Sequence, residues 1–179
     1  MLYTSDIFTD KPDTFQSELQ ENVYHVLEEL SISYQRVETA PVISMEDCKA
    51  IDEKLNMKMV KTLFLCNRQK TKFYLFVTEG EKTFETKAFS QALEIARVSF
   101  VPKELFEEML QTKIGAATIF SALVDKENKI QVVLDSDILA NDYYGCSDGT
   151  RTGYLKLKTD DVMRKFLTFA KHEPLIIEV

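Results

Sequence analysis

The sequence predicts an α/β fold of the α+β-like kind: a mixed, mostly antiparallel sheet with surrounding helices. Three observations carry this expectation. Short β-rich runs are joined by polar loops, so hairpins outnumber strand–helix–strand units. Segments of helical period lie between those runs. No repeat, low-complexity tract or Pro/Gly-rich linker divides the 179 residues, which read as a single domain over 1–179.

The elements follow in order. After Pro12, Phe15, Leu19, Val23, Val26, Leu27 and Leu30 recur at helical spacing, so Asp13 to Leu30 reads as an amphipathic helix. Ser31 to Glu38 is short and β-rich. Ser44 ahead of Met45-Glu46-Asp47 is a capping residue followed by first-turn acids, which predicts a helix to about Leu55. Val60 to Cys66 and Phe73 to Thr78 read as strands joined by the polar loop Asn67 to Lys72. Thr86 to Leu93 reads as a helix and Val98 to Val101 as a strand. Pro102 opens a helix over Lys103 to Gln111, with proline in the favoured first turn. Strands are expected at Ile119 to Val124 and Ile130 to Leu134, joined as a hairpin by Asp125 to Lys129. Tyr143-Tyr144 leads into a Gly-rich loop, then a strand from Tyr154 to Leu157. Thr159-Asp160-Asp161 caps a helix to about Lys171, and Pro174 to Val179 closes as a strand.

Composition bounds the function. An apolar content of 45% fits a globular core. No run of about 18 apolar residues occurs, and the N-terminus lacks a basic region followed by an apolar stretch, so a cytoplasmic protein is expected. Cys48, Cys66 and Cys146 match no metal or redox spacing, and His25 and His172 stand far apart. No metal site is therefore expected. There is no P-loop, dinucleotide glycine pattern or nucleophile elbow. An enzyme built on this chain is expected to need no cofactor and to work by positioning and fixed dipoles.

The net charge of −7 argues against wrapping a nucleic acid. Its distribution says more. Residues 1–53 carry twelve acids and three bases, whereas residues 54–72 carry six bases and no acid. This basic island contains Lys58, Arg68, Lys70 and Lys72, which are candidate contacts for a few phosphates. A solvated hairpin is the plainer reading of the same charges.

Three features carry candidate chemistry. Lys61 shares its strand face with Met59, Leu63 and Leu65, so it stands either at a sheet rim or in a pocket. Gly115-Ala116-Ala117-Thr118 is a small-residue turn whose backbone N–H groups can approach a ligand, or simply a tight joint between elements. Gly145 to Gly153 concentrates three of the five glycines in nine residues with hydroxyls, one acid and one arginine. That suits a mobile polar loop over a site, or a plain strand connection.

In order and spacing these features resemble the YbaK/ProX/prolyl-tRNA-synthetase insertion-domain superfamily, and within it the ProX (PrdX)-type proteins. The similarity is most specific at Lys61-Thr62-Leu63-Phe64-Leu65, and continues through Leu123 to Asp135 and His172-Glu173-Pro174. The resemblance implies a mixed sheet with surrounding helices and hydrolysis of the ester between a wrong amino acid and the tRNA 3′ end, with alanyl-tRNA(Pro) as substrate. It implies a catalytic group of Lys61, Gly115 and Ala116, and a substrate-binding set of Ala117, Thr118, Ile119, Ser147, Asp148, Gly149 and Thr150. The tRNA 3′ acceptor end is the implied partner, met by Lys58, Arg68, Lys70 and Lys72, with prolyl-tRNA synthetase as a second partner. Ile119 replaces the proline of the family's Gly-x-x-x-Pro loop, and Ser147-Asp148 stands where many relatives carry His-Pro. The alternative reading is a non-catalytic module that binds aminoacyl-tRNA or prolyl-tRNA synthetase through the same pocket.

Overall fold

The computed structural model describes residues 1–42 and 44–179, with the Met45 side chain also outside the description. Helix α1 (Glu18–Glu29) buries Leu19, Val23, Val26 and Leu27 of the apolar stripe read from the sequence, together with Tyr24. It begins later than expected because the Ser17 hydroxyl accepts the Gln20 N–H and caps it there. Strand β1 (Tyr34–Glu38) follows, then α2 (Met45–Leu55), whose start is fixed by a reciprocal Ser44–Asp47 capping box.

Strands β2 (Val60–Cys66) and β3 (Phe73–Glu79) form the expected antiparallel hairpin. Helix α3 (Thr86–Ala92), strand β4 (Ser99–Phe100) and helix α4 (Lys103–Leu110) come next, with Pro102 one position ahead of α4 as its cap. Then come β5 (Ile130–Asp135), the short α5 (Ser136–Leu139), β6 (Tyr143–Ser147) and β7 (Gly153–Lys158). The last helical stretch runs as α6 (Thr159–Asp161), a π-helical turn (Val162–Phe166) and α7 (Leu167–Phe169), and β8 (Leu175–Ile177) ends the fold.

The strands form two sheets. One has the order β1-β7-β6 and is antiparallel throughout. The other has the order β4-β2-β3-β5-β8: β2 pairs antiparallel with β3 and β4, while β3–β5 and β5–β8 are parallel. The mixed, mostly antiparallel character holds. Among the described residues no helix is long and apolar enough to cross a membrane.

Two expectations need correction. Residues 119–124 are not a strand: Ile119–Leu123 is a 3₁₀ turn, begun by the Thr118 hydroxyl, which accepts the Phe120 N–H. All five of its side chains are buried, and a short apolar run buried on every side has no period that separates strand from helix. The hairpin over 125–129 falls with it, since β5 pairs with β3 and β8 instead. Asp125 still organises that turn. Its carboxylate accepts the N–H groups of Lys129 and Ile130 and meets His172 Nε2 at 2.8 Å, tying the C-terminal segment to it.

The second correction concerns 145–153. Gly145, Cys146 and Ser147 belong to β6, and only the turn between β6 and β7 is irregular. Asp148 lies buried beneath that turn. Its Oδ2 accepts from Gln20 Nε2 (2.9 Å) and the Tyr24 hydroxyl (2.8 Å), and its Oδ1 accepts from the Thr150 N–H (3.1 Å) and hydroxyl (2.7 Å). The segment is a pinned turn docked on α1, not a polar loop laid over a site.

The core fills the space on both sides of the larger sheet. Phe64, Phe73, Leu75, Phe106 and Leu110 pack on the α4 face. Leu65, Tyr74, Phe76, Phe89 and Val98 pack on the α3 face, with Leu63 and Phe84 at their border. The two sheets meet at Met59, which bridges to Gly145, receives the Gly80 N–H on its carbonyl and gives its own N–H to Asp52. A Cβ at Gly80 would lie 2.6 Å from the Met59 carbonyl oxygen, a backbone atom that cannot step aside, so the junction requires glycine there.

Candidate functional site

A cleft of about 530 Å³ opens beside the Met59 junction. The start of β2, α2, the 79–81 turn, the 114–117 turn and the end of β6 enclose it. Lys61 stands on its rim. Strand alternation turns this side chain to the α3 face, with Leu63 and Leu65. Its ammonium donates to the backbone carbonyl of Lys82, and burial lowers its pKa from the ordinary lysine value.

That carbonyl is held in turn. Lys82 Nζ lies 2.8 Å from both Asp135 Oδ2 and Asp137 Oδ2. Thr78, the cross-strand partner of Lys61, donates its hydroxyl to Asp135 Oδ2 at 2.7 Å. Burial of Asp135 works against its charge, but its bonds to Lys82 and Thr78 outweigh that and hold its carboxyl below the usual range. The same contacts raise the pKa of Lys82, the Asp135 hydrogen bond foremost. Both groups are therefore held as ions.

Across the cleft, Gly115 adopts φ +95°, a left-handed conformation that favours glycine. Gly115 and Ala117 face the cleft, and among the described residues neither N–H is used in an internal hydrogen bond. Ala116 is buried and belongs to the opposite wall of the turn, beside a shallower depression that also takes Gly149 and Thr150. Thr118 and Ile119 are fully buried, and the Thr118 hydroxyl donates to the Ser147 carbonyl at 2.8 Å. Ser147 borders the cleft, but its hydroxyl donates to the Thr150 carbonyl at 2.6 Å and accepts the Gly149 N–H. Of the expected site residues, the fold therefore brings Lys61, Gly115, Ala117 and Ser147 to one cleft. Ala116, Thr118, Ile119, Asp148, Gly149 and Thr150 are buried behind it or beside it.

The basic island is divided. Lys58 lines the cleft. Arg68, Lys70 and Lys72 occupy the β2–β3 turn, which the Asn67 side chain organises by accepting the N–H groups of Thr71 and Lys72. Five residues of strand, Thr62 to Cys66, lie between Lys61 and that turn, a distance of about 20 Å.

Sequence reasoning missed Asp52. It lines the cleft from α2, one turn beyond Cys48, and its Oδ1 accepts the Met59 N–H at 2.9 Å. Burial raises its pKa to about 6, with Glu81 adding to the rise and the Met59 hydrogen bond and Lys58 opposing it. The i, i+4 spacing of Cys48 and Asp52 put them on one helix face; nothing local said which face met the cleft.

Residues 39–165 match the model of the aminoacyl-tRNA editing domain. The chain is 24% identical over 136 residues to the prolyl-tRNA editing protein ProX of Acetoanaerobium sticklandii, covering 76% of this chain and 83% of that protein. A solved structure put forward as a trans-editing enzyme for prolyl tRNA synthetase superposes with a TM-score of 0.65 at 13% identity, over 92% of this chain and 99% of that one. The structure of the hypothetical protein APE2540 gives 0.65 at 14% identity, over 87% and 97%. At these identities the two structures speak for the fold. With the editing-domain match spanning most of the chain, including Lys61 and the Gly115 turn, this protein belongs to the aminoacyl-tRNA editing domain family.

Proposed function

We propose that the Lys61 cleft hydrolyses, in trans, the ester of mischarged tRNA(Pro), with alanyl-tRNA(Pro) as the preferred substrate. One observation carries the reading: Lys61, partly buried on β2, and a turn with two uncommitted N–H groups line one cleft. An aminoacyl ester is already activated. Its hydrolysis needs a placed water and stabilisation of the oxygen charge that develops. Water adds to the ester carbonyl carbon, and the Gly115 and Ala117 N–H groups receive the oxyanion. The tetrahedral adduct then expels the terminal ribose oxygen, which takes up the proton given by the water. Lys61 holds the phosphate or ribose end of the substrate so that the carbonyl faces the turn. The neighbouring ribose hydroxyl orients the water.

Selection for alanine follows from the walls. Ile119 lies in the core, so the apolar boundary beside the turn comes from Ile114, Val101 and Phe106. A wall rejects a larger residue by clash, a stronger filter than the missing burial of a single methylene. Deacylation measured across alanyl-, cysteinyl-, seryl- and prolyl-tRNA tests this: alanyl ester is cleaved and prolyl ester spared, and equal rates on both overturn the sieve.

A second reading, binding without hydrolysis of aminoacyl-tRNA or of prolyl-tRNA synthetase, has one observation in its favour. The Ser147 hydroxyl is consumed by its own turn and Asp148 is buried, so that wall of the cleft offers no free acid or base. Binding of alanyl-tRNA(Pro) with no release of alanine would establish it.

A further inference from the structure

Lys61 and Phe100 border two hollows. On the α3 side of β2 lies an open groove of about 620 Å³, lined by Lys61, Leu63, Phe84, Lys87, Arg97 and Phe100, with Glu85 as its one acid. It shares Lys61, Leu63 and Phe100 with the cleft, so the two adjoin at these residues. Three cations against one carboxylate make this the opposite of an acidic chain. Lys87 and Arg97 are exposed, and among the described residues neither is ion-paired.

Phe100 lines the same groove with 56% of its surface exposed, on a strand of only two residues at the edge of the sheet. Its ring is supported edge-to-face by Phe84 at 5.7 Å, and Phe84 rests on Phe89 at 6.2 Å. A large exposed apolar ring braced by a second ring, in a groove that also carries the cations Lys87 and Arg97, gives a flat face for stacking and charges for a backbone.

We propose that this groove is the track for the single-stranded 3′ end of the RNA, with Phe100 stacking a base and Lys87 and Arg97 meeting phosphates. Aromatic platforms with flanking cations suit single strands, because every base has a π-face and every link a charge. The track leads to Lys61, where the esterified terminal nucleoside turns into the cleft. It also accounts for the distance of Arg68, Lys70 and Lys72 from the cleft, since the cations that serve it are carried by α3 and the segment before β4. The inference rests on the deacylase reading for the identity of the RNA, but its test does not.

The test compares Lys87→Ala/Arg97→Ala, Phe100→Ala, Phe100→Tyr and, as a hairpin control, Arg68→Ala/Lys70→Ala. Binding of an uncharged acceptor-stem RNA hairpin is measured with and without its unpaired 3′ nucleotides, across a salt series. Hydrolysis of an alanyl ester of adenosine is measured separately. The groove variants should lose about tenfold or more in affinity for the RNA with the unpaired end. They should bind the blunt RNA like the parent protein. The double cation variant should lower the slope of log affinity against log salt by about 1.4, at roughly 0.7 per single-strand phosphate. Phe100→Tyr should restore binding, and hydrolysis of the small ester, which carries no phosphate, should be unchanged in the double cation variant, whose residues lie outside the cleft. Undiminished binding by the groove variants, or a loss confined to the Arg68/Lys70 variant, overturns the proposal. Failure of the parent protein to cleave any ester would instead count against the deacylase reading and leave the binding result to stand by itself.

Discussion

The ammonium of Lys61 donates to the backbone carbonyl of Lys82, and the side chain of Lys82 is clamped between Asp135 and Asp137. The position of the Lys61 ammonium is thus set by a second lysine that reaches away from the cleft. Thr78 closes the loop, pairing with Lys61 across the strands and with Asp135 through its hydroxyl.

Lys82→Met removes the clamp and leaves the Asp135 carboxylate, which has no exposed surface, with one cationic partner fewer. Loss of a charge-assisted bond of this kind costs about 2 kcal/mol, read as a lower melting temperature. The kcat for alanyl-tRNA(Pro) should fall about tenfold while KM changes little, because the carbonyl that aims Lys61 is released. Lys82→Arg should recover most of the loss. A fall in stability with unaltered kcat would assign Lys82 to the fold alone.

Asp52 gives stability a defined pH dependence. Its folded pKa, about 6, lies above the ordinary carboxyl value of 3.8, so the folded state holds the proton more tightly than the unfolded chain does. Stability therefore declines as pH rises from about 4 to about 6 and levels off above. Asp52→Asn keeps an oxygen for the Met59 N–H and removes the titration. Melting across that range should show the variant gaining on the parent protein up to pH 6 and a constant difference beyond. A difference independent of pH would mean that Asp52 is not perturbed as described.

Asp148 is a test of the pinned turn. Asp148→Ala strands the Gln20 amide, the Tyr24 hydroxyl and the Thr150 hydroxyl and N–H in a buried place. The cost should be about 3 kcal/mol, measured by denaturant unfolding. A change below about 0.5 kcal/mol, the level of an ordinary surface substitution, would restore the open polar loop.

Gly115→Ala addresses the turn itself. The nearest atom to an added Cβ would be Arg151 Cδ at 3.6 Å, so space is not the constraint; the backbone at φ +95° is. The variant should lose about 1 kcal/mol of stability, and its kcat should drop as the N–H groups shift. Unchanged turnover would remove the Gly115 turn from the chemistry.

Much of this was legible in the sequence. The α1 stripe, the Ser44 cap and the β2–β3 hairpin follow from period and turn chemistry, which are local. Lys61 was legible as an oddity, a cation on an apolar strand face. What the sequence hid depends on contacts remote along the chain. Asp148 became structural only because α1, more than 120 residues earlier, presents Gln20 and Tyr24 to it. Ile119–Leu123 carries no periodicity because every side of it is buried. The basic island looked continuous in sequence, yet one strand length separates Lys58 from Arg68 in space.

The most direct test is the rate of alanine release from alanyl-tRNA(Pro) by the parent protein and by Lys61→Ala, with thermal melting of both. A pocket lysine whose bond is to one carbonyl contributes little to the core, so melting should be preserved. The rate should fall about a hundredfold or more, as for loss of a preorganised charge-stabilising group, with only partial recovery in Lys61→Arg because the guanidinium is planar and larger. A Lys61→Ala protein that melts normally and releases alanine at the parent rate would contradict the role given to this lysine.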